Sequence, residues 1–460
     1  MFLDNNVVNV ALPTIQRDLG LTISGLEWIV SCYILVFAGL LLAGGRLADV
    51  FGQRRIFMIG LTVFTLASTA AGLSADGATL ILSRGVQGIG AALLTPTALS
   101  LIPQIFPDTR ERNTAVGLWS ASGALALALG PLTGGFISEN WHWGWIYLIN
   151  VPIGVLTLSL GVWALPRLSA ADGVRTRRRL DVPGLLTSST ALFALTYALI
   201  EGEDRGWTSA VTLGAFALAA AAAVLFVVIE RRGTQPMIDL TLFRERVFSG
   251  GLLSMGLWSF GVFGIYFFTA LWLQNVLGFS PTEAGAAFIP MALLMAAMAT
   301  TAPRIAARFG TARTVATGLG LMSASVLALS FTGAGSAYTE LLPWFLVYGL
   351  GAGLLVPLTN AILDTLPPGR TGVASGTLNV SREIFGLLGI TILGAVLNAR
   401  QNTSLEGGAT PLNAFLDGYQ LALVIAAAII ALGVPLSLLT MRRRPPAPAA
   451  PEPRILEPVA

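Results

Sequence analysis

The chain has 460 residues, of which 54% are hydrophobic, 51 are glycine and only 11% carry charge. Soluble globular chains carry roughly 25% charged residues, so this much apolar surface cannot be hidden in an aqueous core. A net charge of +3, one cysteine (Cys32) and one histidine (His142) exclude a basic nucleic-acid-binding face, an internal disulfide and Cys- or His-rich metal and haem sites.

Apolar stretches of membrane-crossing length recur along the chain. They fall at 25–44, 56–74, 77–102, 114–137, 145–165, 182–201 and 208–229, then at 248–273, 283–302, 313–332, 341–363, 372–398 and 419–441. A further candidate, Met1 to Pro13, is apolar but too short to cross ~30 Å of hydrocarbon at 1.5 Å per residue. The expectation is an all-α polytopic membrane protein of fourteen spans, the first truncated, with no cleavable signal peptide.

Basic residues orient the spans. All 27 are arginine. With the segment 45–55 on the cytoplasmic side, 22 of them fall in cytoplasmic segments, including Arg177-Arg178-Arg179 and Arg442-Arg443-Arg444. Only Arg17, Arg205 and Arg400 fall in opposite loops, while Arg84 and Arg382 lie inside spans. This positive-inside asymmetry puts both termini in the cytoplasm of a cell-membrane (inner or plasma membrane) protein. Residues 442–460 read as a proline-rich disordered tail.

The chain also repeats itself. Gly88 to Pro96 aligns with Gly349 to Pro357, Val50-Phe51-Gly52 with Arg308-Phe309-Gly310, and Arg110 with Arg370, all at offsets near 260 residues. Transporters are commonly built from such repeats. The implied division is an N-terminal six-span half (1–165), two inserted spans (182–230) and a C-terminal six-span half (248–441). Arg84 faces Phe345 in this alignment and Asp49 faces Ala307, so charged machinery is concentrated in the first half.

Several motifs in order resemble the major facilitator superfamily, in its fourteen-spanner drug:proton antiporter branch of EmrB/QacA type. Gly45-Arg46-Leu47-Ala48-Asp49-Val50-Phe51-Gly52-Gln53-Arg54-Arg55 is similar to the loop between spans 2 and 3, and Leu80 to Ala92 to the span-4 motif. Gly130-Pro131-Leu132-Thr133-Gly134-Gly135 resembles the span-5 antiporter motif, and Leu3 to Pro13 the branch's span-1 signature. Tyr266 to Pro290 resembles its span-9 and span-10 signature. Val50 and Gln53 stand where the family usually has basic residues, Asn6 where threonine is usual, and Ala126 where the span-5 motif opens with glycine. The resemblance implies a major facilitator fold and proton-coupled efflux of drugs or lipophilic, cationic small molecules. A narrow-specificity metabolite exporter or symporter is the alternative.

The residues themselves suit that reading. Asp4 lies nine residues, about 13 Å, from Pro13, at a depth where an ionised carboxylate is costly. A carboxyl that gains and loses a proton there carries coupling protons or pairs with a cationic substrate; otherwise it packs as a neutral acid beside Asn5 and Asn9. Arg84 costs about 2.5–3.5 kcal/mol to insert, which calls for a partner or a pathway, and the resemblance implies a part in proton transfer. Arg382 and Glu383 are adjacent and neutralise one another or their neighbours. Gly130, Pro131, Gly134 and Gly135 allow close helix approach and a bend, sealing the substrate-free path. Gly45, Arg46, Asp49, Gly52, Arg54 and Arg55 read as a charge latch in a tight loop broken by the two glycines. Tyr33, Phe37, Trp119, Trp258, Tyr266, Gln274, Asn360 and Asn379 are candidates for an apolar, aromatic substrate cavity. Trp141-His142-Trp143-Gly144-Trp145 reads as an interfacial aromatic belt.

With no phosphate-binding loop and no nucleophile beside a base, the sequence predicts no enzyme and no cofactor. The expected partners are a small-molecule substrate, protons and the lipid bilayer. A membrane-fusion or outer-membrane partner is left open by the sequence.

Overall fold

A computed structural model describes residues 2–106, 108–164, 181–233, 240–363 and 371–441. The side chains of Asp49 and Trp119 lie outside the described residues, as do Arg177 to Arg179, Arg370 and the tail 442–460.

The described chain is helical, apart from connections and one 3-10 turn at Leu240–Arg244. The first part comprises α1 (Phe2–Leu19), α2 (Ile23–Phe51), α3 (Gln53–Gly72), α4 (Gly77–Ile105), α5 (Thr109–Asn140), α6 (Trp145–Leu148) and α7 (Asn150–Ala164). A pair, α8 (Val182–Arg205) and α9 (Ala210–Arg232), follows. The last part comprises α10 (Arg246–Asn275), α11 (Pro281–Ala287), α12 (Ile289–Phe309), α13 (Thr311–Leu329), α14 (Tyr338–Gly353), α15 (Val356–Leu363), α16 (Thr371–Glu406), α17 (Pro411–Ala431) and α18 (Gly433–Thr440). Among the described residues twelve segments are long and apolar enough to cross a membrane, with α6 and α7, α11 and α12, α14 and α15, and α17 and α18 each joining into one span. Helices α1, of 18 residues, and α5, of 32, are not among the twelve.

Short polar signals start the helices. Thr22, Asp76, Asp181, Ser209 and Thr410 each accept a hydrogen bond from an amide of the first turn. Ser280 and Glu283 form a reciprocal capping box, with Pro281 at the first helical position. The amide and hydroxyl of Thr79 hold the exposed Asp76 carboxyl below the usual carboxylate range.

Two expectations are corrected. Helix α1 continues through Pro13 to Leu19, so Asp4 is 15 residues, about 22 Å, from the end of its helix rather than nine residues from an end at Pro13. Gly45 breaks nothing: α2 runs through it to Phe51, and only Gly52, at φ 94°, turns the chain.

The repeat is visible in backbone geometry. Gly310 turns the chain into α13 at φ 91° as Gly52 does into α3 at φ 94°. Gly60 of α3 closes on the carbonyl of Gly90, and Gly318 of α13 closes on that of Gly351. Gly90 in turn abuts the amide of Phe64, and Gly351 that of Met322. These are the same helix crossings, displaced by 258 to 261 residues.

Large apolar side chains face outward, among them Trp163 at 85% and Phe331 at 81% exposure. The fully buried side chains include Arg84. Outward apolar groups and an inward charge are the burial pattern of a protein solvated by lipid.

Candidate functional site

The deepest polar cluster lies within the N-terminal helices. Asp4 of α1 and Arg84 of α4 form a salt bridge of 2.6 Å, both side chains fully buried. The other carboxylate oxygen of Asp4 accepts from Gln87 Nε2 at 3.0 Å and Asn150 Nδ2 at 2.8 Å. Arg84 also donates to Gln87 Oε1 at 2.6 Å and, through Nε, to the carbonyl of Ile29 at 3.2 Å. Ser68 closes the ring, accepting from Gln87 and Asn150 and donating to the Tyr147 carbonyl.

Aromatic rings cover the cation. The Arg84 guanidinium lies 4.3 Å from the Tyr33 ring centroid and 5.6 Å from that of Tyr147. A buried ion pair offsets its desolvation only when geometry is good and the remaining donors and acceptors are met. Here four helices and a short helical turn supply those partners, and cation–π contact adds to them.

A second feature lies where the two parts of the chain meet. Gly130 of α5 packs on the Cβ of Asn6 and Gly134 on the carbonyl of Val7. Gly135 packs on the carbonyl of Pro281, while Gly285 of α11 packs on the carbonyl of Pro131. The motif thus removes side chains where α5 meets α1 on one flank and α11 on the other. This seam lies at the end of the bundle carrying Gly20, Gly206, Gly278 and Gly408, opposite the end carrying Gly52 and Gly310. Glu139 accepts from the Thr282 amide at 2.9 Å, and Gln274 donates to the Val10 carbonyl at 2.8 Å, both bridging the same seam.

The remaining candidates are dispersed. Arg54 donates to the carbonyl of Val162 at the end of α7, and Gly45 packs on Pro96. Phe37 is buried beside Tyr33, at 6.0 Å between ring centroids. Tyr266 stacks on Phe288 at 4.8 Å within the core. Trp258 faces Arg382 at 5.9 Å, and Arg382 reaches Glu383 at 3.7 Å. Asn360 and Asn379 are exposed. A cleft of about 190 Å³ lies against α2, α8, α9 and α16 and another of about 450 Å³ at the Gly20 end, and neither is lined by Asp4 or Arg84. Trp143 is buried, donating to Asp18 at 2.6 Å, while Trp141 and Trp145 are exposed as belt residues would be.

Sequence reasoning missed Asn150 and Glu27. A buried asparagine opening a helix in an apolar run, and an acid one turn into another, were the available signals.

Comparison with known proteins agrees with this architecture. The profile of the Major Facilitator Superfamily matches residues 1–390. The chain is 36% identical over 407 residues to the multidrug resistance protein Stp of Mycobacterium tuberculosis, covering 88% of this chain and 75% of that one. It is 39% identical over 398 residues to the methylenomycin A resistance protein of Streptomyces coelicolor, covering 86% and 83%. Its fold matches the crystal structure of an auto-inhibited POT family peptide transporter with a TM-score of 0.66 at 16% identity, over 96% of both chains. A transporter fold shared almost end to end, together with a profile match across most of the chain, places it in a family: this protein belongs to the major facilitator superfamily.

Proposed function

We propose that this protein is a proton-coupled exporter of drugs or lipophilic, cationic small molecules, working by alternating access. The observation that carries the reading is the Asp4–Arg84 pair, fully buried at 2.6 Å and ringed by Gln87, Asn150 and Ser68. An intramembrane ion pair is expensive, and proton exchange at the carboxylate is a function that warrants the expense. The names of the relatives, multidrug and methylenomycin A resistance proteins, support efflux as the direction.

In this reading the Gly52 end is cytoplasmic, as arginine placement implies, and the Gly20 end is outer. Helices α1 and α5 complete fourteen spans with the twelve apolar segments, as in the EmrB/QacA branch. The two six-span halves, 1–165 and 248–441, rock about the seam, and 182–230 is inserted between them. Gly130, Pro131, Gly134 and Gly135 close the outer side, and the end of α2, the Gly52 turn and the start of α3, from Gly45 to Arg55, latch the inner side. A proton moving inward supplies about 2.3 kcal/mol per 100 mV and about 1.4 kcal/mol per pH unit.

The test uses inside-out vesicles energised by respiration and a pH-sensitive dye, with a panel of lipophilic cations and neutral antibiotics. Substrate-induced proton release that disappears in Asp4→Asn is expected. Release that persists in Asp4→Asn moves coupling elsewhere. Transport of one compound only, across a chemically wide panel, favours the narrow-specificity exporter.

A further inference from the structure

A second buried acid lies outside the Asp4 cluster. Glu27, one turn into α2, has no exposed surface. One carboxyl oxygen is 3.5 Å from Asn398 Nδ2 of α16, and the other has no hydrogen-bond partner. The side chain fills the space that Gly394 leaves open one turn along α16, where any Cβ would collide with the carboxyl. Glu27 is therefore a knob from the N-terminal part seated in a hole of the C-terminal part, across the surface that must separate if the Gly20 end is to open.

The charges around it offer no cation. Helix α8 contributes Glu201 and Asp204, and the Glu201 carboxylate already binds Arg205 at 3.0 Å and Trp28 Nε1 at 2.9 Å. On α16, Arg400 is turned to Asp417 at 3.9 Å. On α1, Arg17 bonds its own helix and Asp18 holds Trp143. On α4, Asp76 caps the helix and Arg84 is taken by Asp4. A neutral carboxyl fits this site, whereas an ionised one is buried beside acids with the neutral Asn398 amide as its one hydrogen-bond donor among the described residues. Directly above lies the cleft of about 450 Å³, lined by Thr22 and Ile23 from α2 and by Gln401, one turn beyond Asn398. Gln16, Thr22, Asn275 and Gln401 bring polar groups to its lining, which receives the carboxyl once α2 and α16 part.

We propose that Glu27 is a proton-operated gate of the Gly20 end: neutral, it locks α2 onto α16 in the hole at Gly394; ionised, it is expelled toward the cleft and the end opens. The inference rests on alternating access as proposed above and adds a second protonation site in series with Asp4. Protons taken up at Glu27 from the side of the cleft then permit reclosure after substrate has left.

The test needs neither substrate nor transport, so it fails independently of the antiport reading. Spin labels are placed through Ala75→Cys and Thr403→Cys, both exposed and on opposite sides of the seam, in a Cys32→Ser background. Inter-label distances are measured by pulsed EPR in lipid nanodiscs from acidic to alkaline pH. The ratio of long to short distances is expected to rise with pH, by up to about tenfold per pH unit, the limit for one coupled proton. Glu27→Gln is expected to stay short at every pH, and Glu27→Asp to restore a pH response. Gly394→Ala is expected to stay long throughout. A wild-type ratio independent of pH overturns the proposal. So does a Glu27→Gln response equal to wild type, a response that follows Asp4→Asn instead, or a Gly394→Ala variant that closes normally.

Discussion

Gly135 of α5 rests against the backbone carbonyl of Pro281, so closely that no side chain fits between them. Gly285 of α11 makes the reciprocal contact with the carbonyl of Pro131. Two glycines facing two proline carbonyls bring the helices to backbone contact, and the freed amide and carbonyl groups stay inside protein rather than lipid.

Gly135→Ala and Gly285→Ala should therefore loosen the seam. The obstacle is backbone and cannot rotate away, so relief means displacing one helix at a cost of about 1–3 kcal/mol. A shift of that size changes a conformational equilibrium about 5- to 150-fold. The expected outcome is a faster, substrate-independent collapse of the pH gradient in energised vesicles. A gradient as stable as wild type would show that the glycines do not seal the path.

The Asp4–Arg84 pair is best tested as a cycle. Arg84→Ala strands a buried carboxylate and should cost about 3–5 kcal/mol of stability. Asp4→Asn in that background removes the stranded charge and should recover part of the loss, giving a favourable coupling energy above about 1 kcal/mol. Thermal unfolding of the four proteins in detergent checks this. Arg84→Lys should restore stability less than the wild-type side chain, since lysine cannot reach Asp4, Gln87 and the Ile29 carbonyl from one planar group.

Asn150 holds Asp4 and Ser68 together from α7. Asn150→Leu removes two donated bonds and leaves both acceptors buried, at about 1–3 kcal/mol. Proton release per substrate exported should fall more than substrate binding does. Equal losses in both would mean that Asn150 serves packing alone.

Much of the architecture was legible in the sequence, and the failures have physical causes. Span length and the near-260-residue repeat are properties of hydrophobicity and backbone turns, so Gly52 and Gly310 announced themselves. Asp4 and Arg84 stood out singly because charge inside a span is rare. Their pairing did not, since it joins helices 80 residues apart. Membership of a span was readable but not the direction a side chain takes around the helix axis. Hence nothing in the sequence showed that Tyr33 covers Arg84 or that Asn360 and Asn379 are exposed. Glu27 was passed over because an acid one turn from a helix start resembles an ordinary interfacial charge. Only the structure sets Gly394 opposite it. Gly45 misled because glycine in a membrane helix serves close packing as readily as a turn.

Glu139 supplies the contrast that separates polar clasp from backbone contact at the seam. It sits four residues beyond Gly135, is exposed, and accepts a hydrogen bond from the Thr282 amide. Water replaces that bond when the side chain is removed, so Glu139→Ala should cost at most about 1 kcal/mol. Initial export rates are expected to stay within about fivefold of wild type, the rate equivalent of that energy, with an unchanged proton leak. The two variants are compared in one vesicle assay, where Gly135→Ala leaks and Glu139→Ala does not. The reverse result would assign the seal to the Glu139–Thr282 bond and leave the glycine contacts as packing alone.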